Sequence, residues 1–233
     1  PPDPVRRHAE GSAVVAELRG LPSLAVLLPE GWVRFRFDDT IDAQVDGAVA
    51  VILSGVETGR RDLARVQLRR LLADMGARAR GNAYELWMPI APTGGVTIPV
   101  TMTVAPSPAV LDPARPAGDH LTAFAASAPD ARFIDVGRRP AVRIAADVAG
   151  AQNAAGEWTE MPRRRITTLV SPAEDGEWLV FFAEIVVPQD GAAEIVAACE
   201  FFVDAFLTTV RFPPGRGGPS GADDHRGRAS DDR

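Results

Sequence analysis

The stretch RRRITTLVSPAEDGEWLVFFAEIV, from Arg163 to Val186, decides the fold class. Two runs rich in β-branched and aromatic residues, Arg163 to Val170 and Trp178 to Val186, flank the turn-forming segment Pro172 to Gly176, which predicts two strands in a meander. The period then changes. After Gly191, the residues Ile195, Cys199, Phe202 and Phe206 recur at helical steps, with Phe201, Val203 and Val210 widening the stripe. Burying each phenylalanine of such a stripe is worth roughly 1.5 to 3 kcal/mol before entropy is counted, so this helix is expected to dock on the sheet. Upstream, Arg132 to Val136 and Ala141 to Val148 add two more strands, set apart by Gly137 and by the segment Gly150 to Gly156.

The first half reads as a strand, two helices and a hairpin. Trp32 to Phe37 alternates, with Trp32, Arg34 and Arg36 on one face and Val33, Phe35 and Phe37 on the other. Leu24 to Leu28, between Pro22 and Pro29, predicts a short strand or extended segment. Asp38-Asp39-Thr40 supplies cap residues for a helix carrying Ile41, Val45, Val49, Ile52 and Val56. Past Thr58-Gly59, the residues Leu63, Val66, Leu71, Leu72 and Met75 predict a second helix ended by Gly76 and Gly81. Tyr84 to Ile90 and Val96 to Val104 predict a hairpin over Ala91-Pro92-Thr93-Gly94-Gly95. A short helix is expected over Asp119 to Ala126. The predicted class is α+β: a mostly antiparallel sheet covered by helices, with two consecutive helices after the first strand and a long C-terminal helix. An N-terminal arm is expected over residues 1–20, one domain over 21–212, and a disordered tail over 213–233, where no apolar residue is larger than alanine or proline.

At 233 residues, a single domain buries enough surface to need neither metal nor disulfide, and the lone Cys199 rules out an internal bridge. The balance of 31 acidic against 25 basic residues argues against a nucleic-acid surface. Every basic residue is arginine, which reads as the codon bias of a GC-rich genome rather than a recognition device. No run approaches the ~20 apolar residues of a membrane span, and no signal segment is visible, so a cytoplasmic location is expected.

Candidate chemistry is sparse. Cys199 falls on the apolar stripe of the last helix, where a thiolate is disfavoured, and reads as a core residue. His8, His120 and His225 lie far apart, and none has a second ligand at metal spacing. His120, beside Asp119 at a helix start, is favoured as a capping or surface histidine. The glycine-rich pieces lack the lysine and context of a phosphate loop, so no cofactor is expected. Arg163, Arg164 and Arg165, with Arg138, Arg139 and Arg143, are candidates for one patch binding an anion or an acidic partner; alternation instead sends Arg164 to the face opposite Arg163 and Arg165, and a solvated edge or sheet face is expected. Trp158 and Trp178 each close a Gly-Glu-Trp triplet and are either packed hairpin ends or exposed interaction aromatics.

Pro29-Glu30-Gly31-Trp32-Val33-Arg34-Phe35, the strand Pro99 to Val104, and Trp178-Leu179-Val180-Phe181-Phe182 before the Phe-rich helix and Arg211-Phe212 resemble a protein family of high-GC Gram-positive bacteria. More remotely, the last two strands and helix are similar to PsbP-like and LpqN-type α/β/α sandwiches. That resemblance implies binding or assembly roles rather than one shared reaction, and this chain shows no lipoprotein leader of the LpqN type.

The favoured expectation is a non-catalytic module that contacts an unidentified protein partner, with Trp158 and Trp178 as the speculative contact residues. The alternative is a small-ligand binder or enzyme acting on an anionic ligand in a pocket between sheet and helices, using Asp119, His120, Arg143 and Arg165. A homodimer through an uncovered sheet face is a third expectation.

Overall fold

The computed structural model describes residues 24–54, 61–79, 82–92, 94–109, 111–172, 177–187 and 193–212. The expected arm and tail, with His8 and His225, lie outside the described residues. So does Gly191.

The sheet carries the α+β architecture. Strands β1 (Trp32–Arg36), β2 (Glu85–Pro89), β3 (Val100–Pro106), β4 (Arg132–Val136), β5 (Arg139–Val148), β8 (Arg163–Val170) and β9 (Leu179–Val186) form one antiparallel sheet in the order β1-β2-β3-β9-β8-β5-β4. The short strands β6 (Ala151–Gln152) and β7 (Trp158–Glu160) pair separately. The predicted meander is present, but its last strand, β9, also pairs with β3 and thereby joins the two halves of the sheet. Strand β3 starts at Val100 rather than at the expected Val96; Pro99 has no N–H for the ladder, and Val96 is exposed.

Helices α1 (Ile41–Ser54), α2 (Arg61–Ala79), α3 (Ala117–Ala125) and α4 (Ala193–Thr209) cover this sheet. Helix α4 lies on one face. There Cys199, Val203, Phe206 and Leu207 pack against Trp87, Met102, Phe181 and Ile166. Trp32 stacks on Phe206 with ring centroids 5.8 Å apart, and Trp87 meets the same ring at 5.4 Å. Phe202 joins this cluster, whereas Phe201, expected within the stripe, is 75% exposed. One residue's step of about 100° around the helix separates the two. Beside this cluster, the buried carboxylate of Glu85 accepts hydrogen bonds from Arg34 and from Trp87 Nε1, the latter at 2.8 Å.

Helices α1 and α2 cover the opposite face over β1 and β2, where Phe35, Leu86, Val45, Val49 and Leu72 form a second core. Thr40 N–H donates to Asp38 Oδ1 at 2.9 Å just before α1, as the cap residues predict. Helix α2 runs on through Gly76; of its predicted stripe Leu72 and Met75 face the core, joined by the partly buried Ala64, Leu68 and Ala79, whereas Leu63, Val66 and Leu71 are exposed. Helix α3 lies farther along the same face, with Leu121 packed on Val142, Leu169 and Val180.

The chain closes where the extended residues 24–28 meet the end of α4. Ala25 and Arg211 exchange backbone hydrogen bonds of 3.0 and 2.8 Å. Among the described residues, no helix is long and apolar enough to cross a membrane.

Candidate functional site

Between α2 and α3 the sheet face is not fully covered. Strand alternation puts Thr167 and Leu169 of β8 and Val180 and Phe182 of β9 on this face, and they form the floor of a cleft of about 590 Å³. Leu111 and Pro108, from the segment after β3, and Ala123 and Phe124 of α3 make its walls. Ser107, Asp112, Arg115 and His120 add a few polar groups to a mostly apolar lining. Phe182 also borders a second hollow of about 490 Å³, flanked by Leu71 and Met75 of α2 and by Thr103 and Ala105 of β3.

His120 fixes the wall. Its Nε2 donates to the carbonyl oxygen of Asp112 at 2.9 Å, and its ring meets Trp178 edge-on with centroids 5.6 Å apart. A carbonyl can only accept, so this bond places the proton on Nε2. Ser107 N–H donates to the Trp178 carbonyl at 2.9 Å, tying the same segment to β9. Asp112 Oδ1 in turn accepts from Ala114 N–H at 2.9 Å, shaping the turn that leads into α3. His120 is therefore a buried tether for the cleft wall, not the capping or surface histidine expected from its position.

The four residues expected to bind an anion do not converge. Asp119 is exposed and faces Arg115, Nε to Oδ2 at 3.9 Å. Arg143 lies on the opposite sheet face beneath α4, where its Nε donates to Asp204 and its Nη2 to Glu200, both at 2.7 Å. Arg164 follows it there, donating to Glu200 at 2.8 Å. Arg163 and Arg165 take the cleft face, as alternation predicts. The run is not a plainly solvated one, since each of its arginines meets a carboxylate.

Arg165 lies just beyond the cleft floor on the same sheet face. It stands two residues from Thr167 on the same side of β8, about 6.7 Å along the strand. Its Nε donates to Glu184 Oε1 at 2.6 Å, across the β8–β9 register. Arg163 Nε is 3.7 Å from the other oxygen of Glu184, and both of these buried atoms lack a hydrogen-bond partner. Two guanidinium groups thus share one Glu184 carboxylate, with Glu160 3.9 Å from Arg163 as a second, more exposed neighbour.

Both tryptophans pack within the chain. Trp178 rests on His120, and Trp158 lies so close over Gly150 that a Cβ there would sit 2.5 Å from its ring. Cys199 is buried among the α4 core, and burial pushes its thiol above the ordinary range, consistent with a packing role. Among the described residues, no group of three His, Cys, Asp or Glu side chains is placed to hold a metal ion.

Comparison with known proteins adds a remote neighbour. No family model matches the chain, and no curated protein does. The chain is similar to the crystal structure of LpqN, involved in cell envelope biogenesis of Mycobacterium tuberculosis, with a TM-score of 0.40 and 12% identity over 84% of this chain and 86% of that one. A likeness this weak carries nothing about activity or location.

Arg115, Asp112, Thr167 and Phe182 are the site residues that sequence reading passes over. Thr167 and Phe182 had a signal: they are cross-strand partners in the predicted hairpin and so must share a face. Asp112 and Arg115 had none, because the fold of an irregular, proline-rich segment cannot be read from periodicity.

Proposed function

We propose that this protein is a non-catalytic binder of a small, mainly apolar molecule, held in the cleft between α3 and the β8–β9 floor. The observation that carries this reading is the cleft itself. Its volume of about 590 Å³ falls within the range of small-molecule sites, and its few polar groups stand among apolar walls. The wall is anchored in advance by the hydrogen bond from His120 to Asp112, which lowers the ordering cost of binding. His120 spends its Nε2 proton on that tether, so binding rather than proton transfer is the better-supported use of the residue. The two tryptophans that motivated a protein-contact role are half-buried against other parts of the chain, and the cleft is the stronger candidate.

Isothermal titration calorimetry with decanol tests the reading. Saturable binding is expected, and Thr167→Trp, which places an indole on the floor, should abolish it while leaving the circular-dichroism spectrum and melting temperature close to wild type. Absence of decanol binding to the wild-type chain, or undiminished binding to a folded Thr167→Trp variant, refutes it.

A further inference from the structure

We infer that the cleft is selective for an amphiphile with an anionic headgroup, and that Arg165 and Arg163 form the headgroup subsite at the foot of its floor. This inference rests on the binding reading above and specifies the chemistry of the ligand.

The floor changes character along one direction. Down β8 the side chains on this face run Leu169, Thr167, Arg165, Arg163; down β9 they run Val180, Phe182, Glu184. A molecule whose apolar body lies on Leu169, Val180 and Phe182 therefore meets a hydroxyl at Thr167 and then two guanidinium groups. The spacing suits a chain-like ligand, since Leu169 to Arg163 spans about 20 Å of strand.

Guanidinium donors outnumber carboxylate acceptors at that end, although Glu184 and, 3.9 Å from Arg163, Glu160 offset the two positive charges. Glu184 is the one carboxylate common to Arg163 and Arg165, and its two oxygens are unequally used: Oε1 accepts from Arg165 at 2.6 Å, while Oε2 stands 3.7 Å from Arg163 Nε. Arg163 Nε and the Glu184 Oε2 facing it are both buried and make no hydrogen bond, so this pair is left unclosed. Arg164 does not contribute, because it is committed to Glu200 on the other face. A carboxylate, sulfate or phosphate headgroup adds acceptors where guanidinium donors exceed the acceptors present, and the planar donor fork of arginine suits such groups. A cationic headgroup would bring no acceptor to these donors.

The test compares decanoate with decanol by calorimetry, at concentrations below micelle formation and at low ionic strength. Decanoate is expected to bind at least tenfold more tightly than decanol. Arg165→Gln should remove most of that preference while leaving decanol affinity unchanged, which also shows that the variant is folded; Arg163→Gln should act in the same direction. Equal binding of decanol and decanoate, or a preference untouched by both substitutions, overturns the headgroup subsite and leaves the cleft reading standing. Failure of both ligands to bind overturns the cleft reading and the subsite with it.

Discussion

Arg143 Nε donates to Asp204 Oδ1 across 2.7 Å, linking the middle of β5 to the last turns of α4 beneath the sheet. The guanidinium is almost fully buried, and its other arm holds Glu200, so one side chain on the sheet fixes two positions a turn apart on the helix. Arg143→Ala leaves Asp204 without this partner and opens a void under α4. A loss of about 2–4 kcal/mol is expected, because breaking a buried pair by removing one partner is costly while Asp204 stays partly hydrated. Urea denaturation should show this as a lower midpoint, and Arg143→Met should lose less because it refills the space.

The same network makes stability sensitive to acid. Burial pushes the Glu200 carboxyl up, but hydrogen bonds from Arg143 and Arg164 outweigh it and hold the group below its ordinary value of 4.5. A carboxyl whose pKa is lower when folded stabilises the fold above its unfolded pKa and loses that contribution as pH falls through the folded value. Melting temperatures measured downward from pH 6 should therefore fall more steeply below about pH 4.5 in wild type than in Glu200→Gln. The variant should be the less stable of the two at pH 7, and the gap should narrow toward acid.

Tyr84 offers an alkaline counterpart. It is the only tyrosine of the chain, so phenolate absorbance reports on it alone. Burial, and a hydrogen bond donated to the Glu177 carboxylate, push its ionisation well above the ordinary value of 10. The urea-unfolded chain should titrate near pH 10, whereas the native chain should show no phenolate there. Stability linked to this group is intact below about pH 10 and declines as pH rises above it. Tyr84→Phe should flatten that alkaline decline.

Gly137 tests the β4–β5 turn. It has a φ of +58°, and Arg138 follows with +69°, the backbone of a two-residue hairpin turn that matches strand twist. A Cβ at Gly137 would also lie 2.6 Å from the Phe212 ring, which carries the Arg139 guanidinium 3.7 Å above it. Gly137→Ala should cost about 1–3 kcal/mol, and near-ultraviolet circular dichroism should register the displaced ring.

Much of this was legible from alternation and composition. The period of two in Arg163 to Val170 separates Arg164 from its neighbours, and the structure places it under α4 while Arg163 and Arg165 face Glu184. The final helix and its Phe206 anchor were readable for the same reason: a strong apolar stripe leaves few ways to pack. Alternation names a face but not what lies across from it. Arg143 was singled out as a ligand residue because its partners Glu200 and Asp204 are more than 50 positions away. In α2 the residues read as one stripe do not all lie on one side: Leu72 and Met75 pack with Leu68 in the core of Ile41 and Val45, while Leu63, Val66 and Leu71 turn to solvent. The tether from His120 to Asp112 depends on an irregular segment whose path no periodic signal encodes.

The position of β9 bears on how the chain assembles. Of the seven strands in this sheet it is the last in sequence and yet the middle one in space. Until residues 179–186 are available, β1-β2-β3 and β4-β5-β8 are separate half-sheets with no ladder between them, each presenting an unpaired inner edge, β3 on one and β8 on the other. Insertion of β9 satisfies both edges in one step and lays down Phe181 for the α4 core and Phe182 for the cleft floor. Because those pairings reach back more than 70 residues to β3, the closing step bears the loop-closure entropy of the intervening chain. The cleft, having its floor divided between β8 and β9, comes into existence only at that moment.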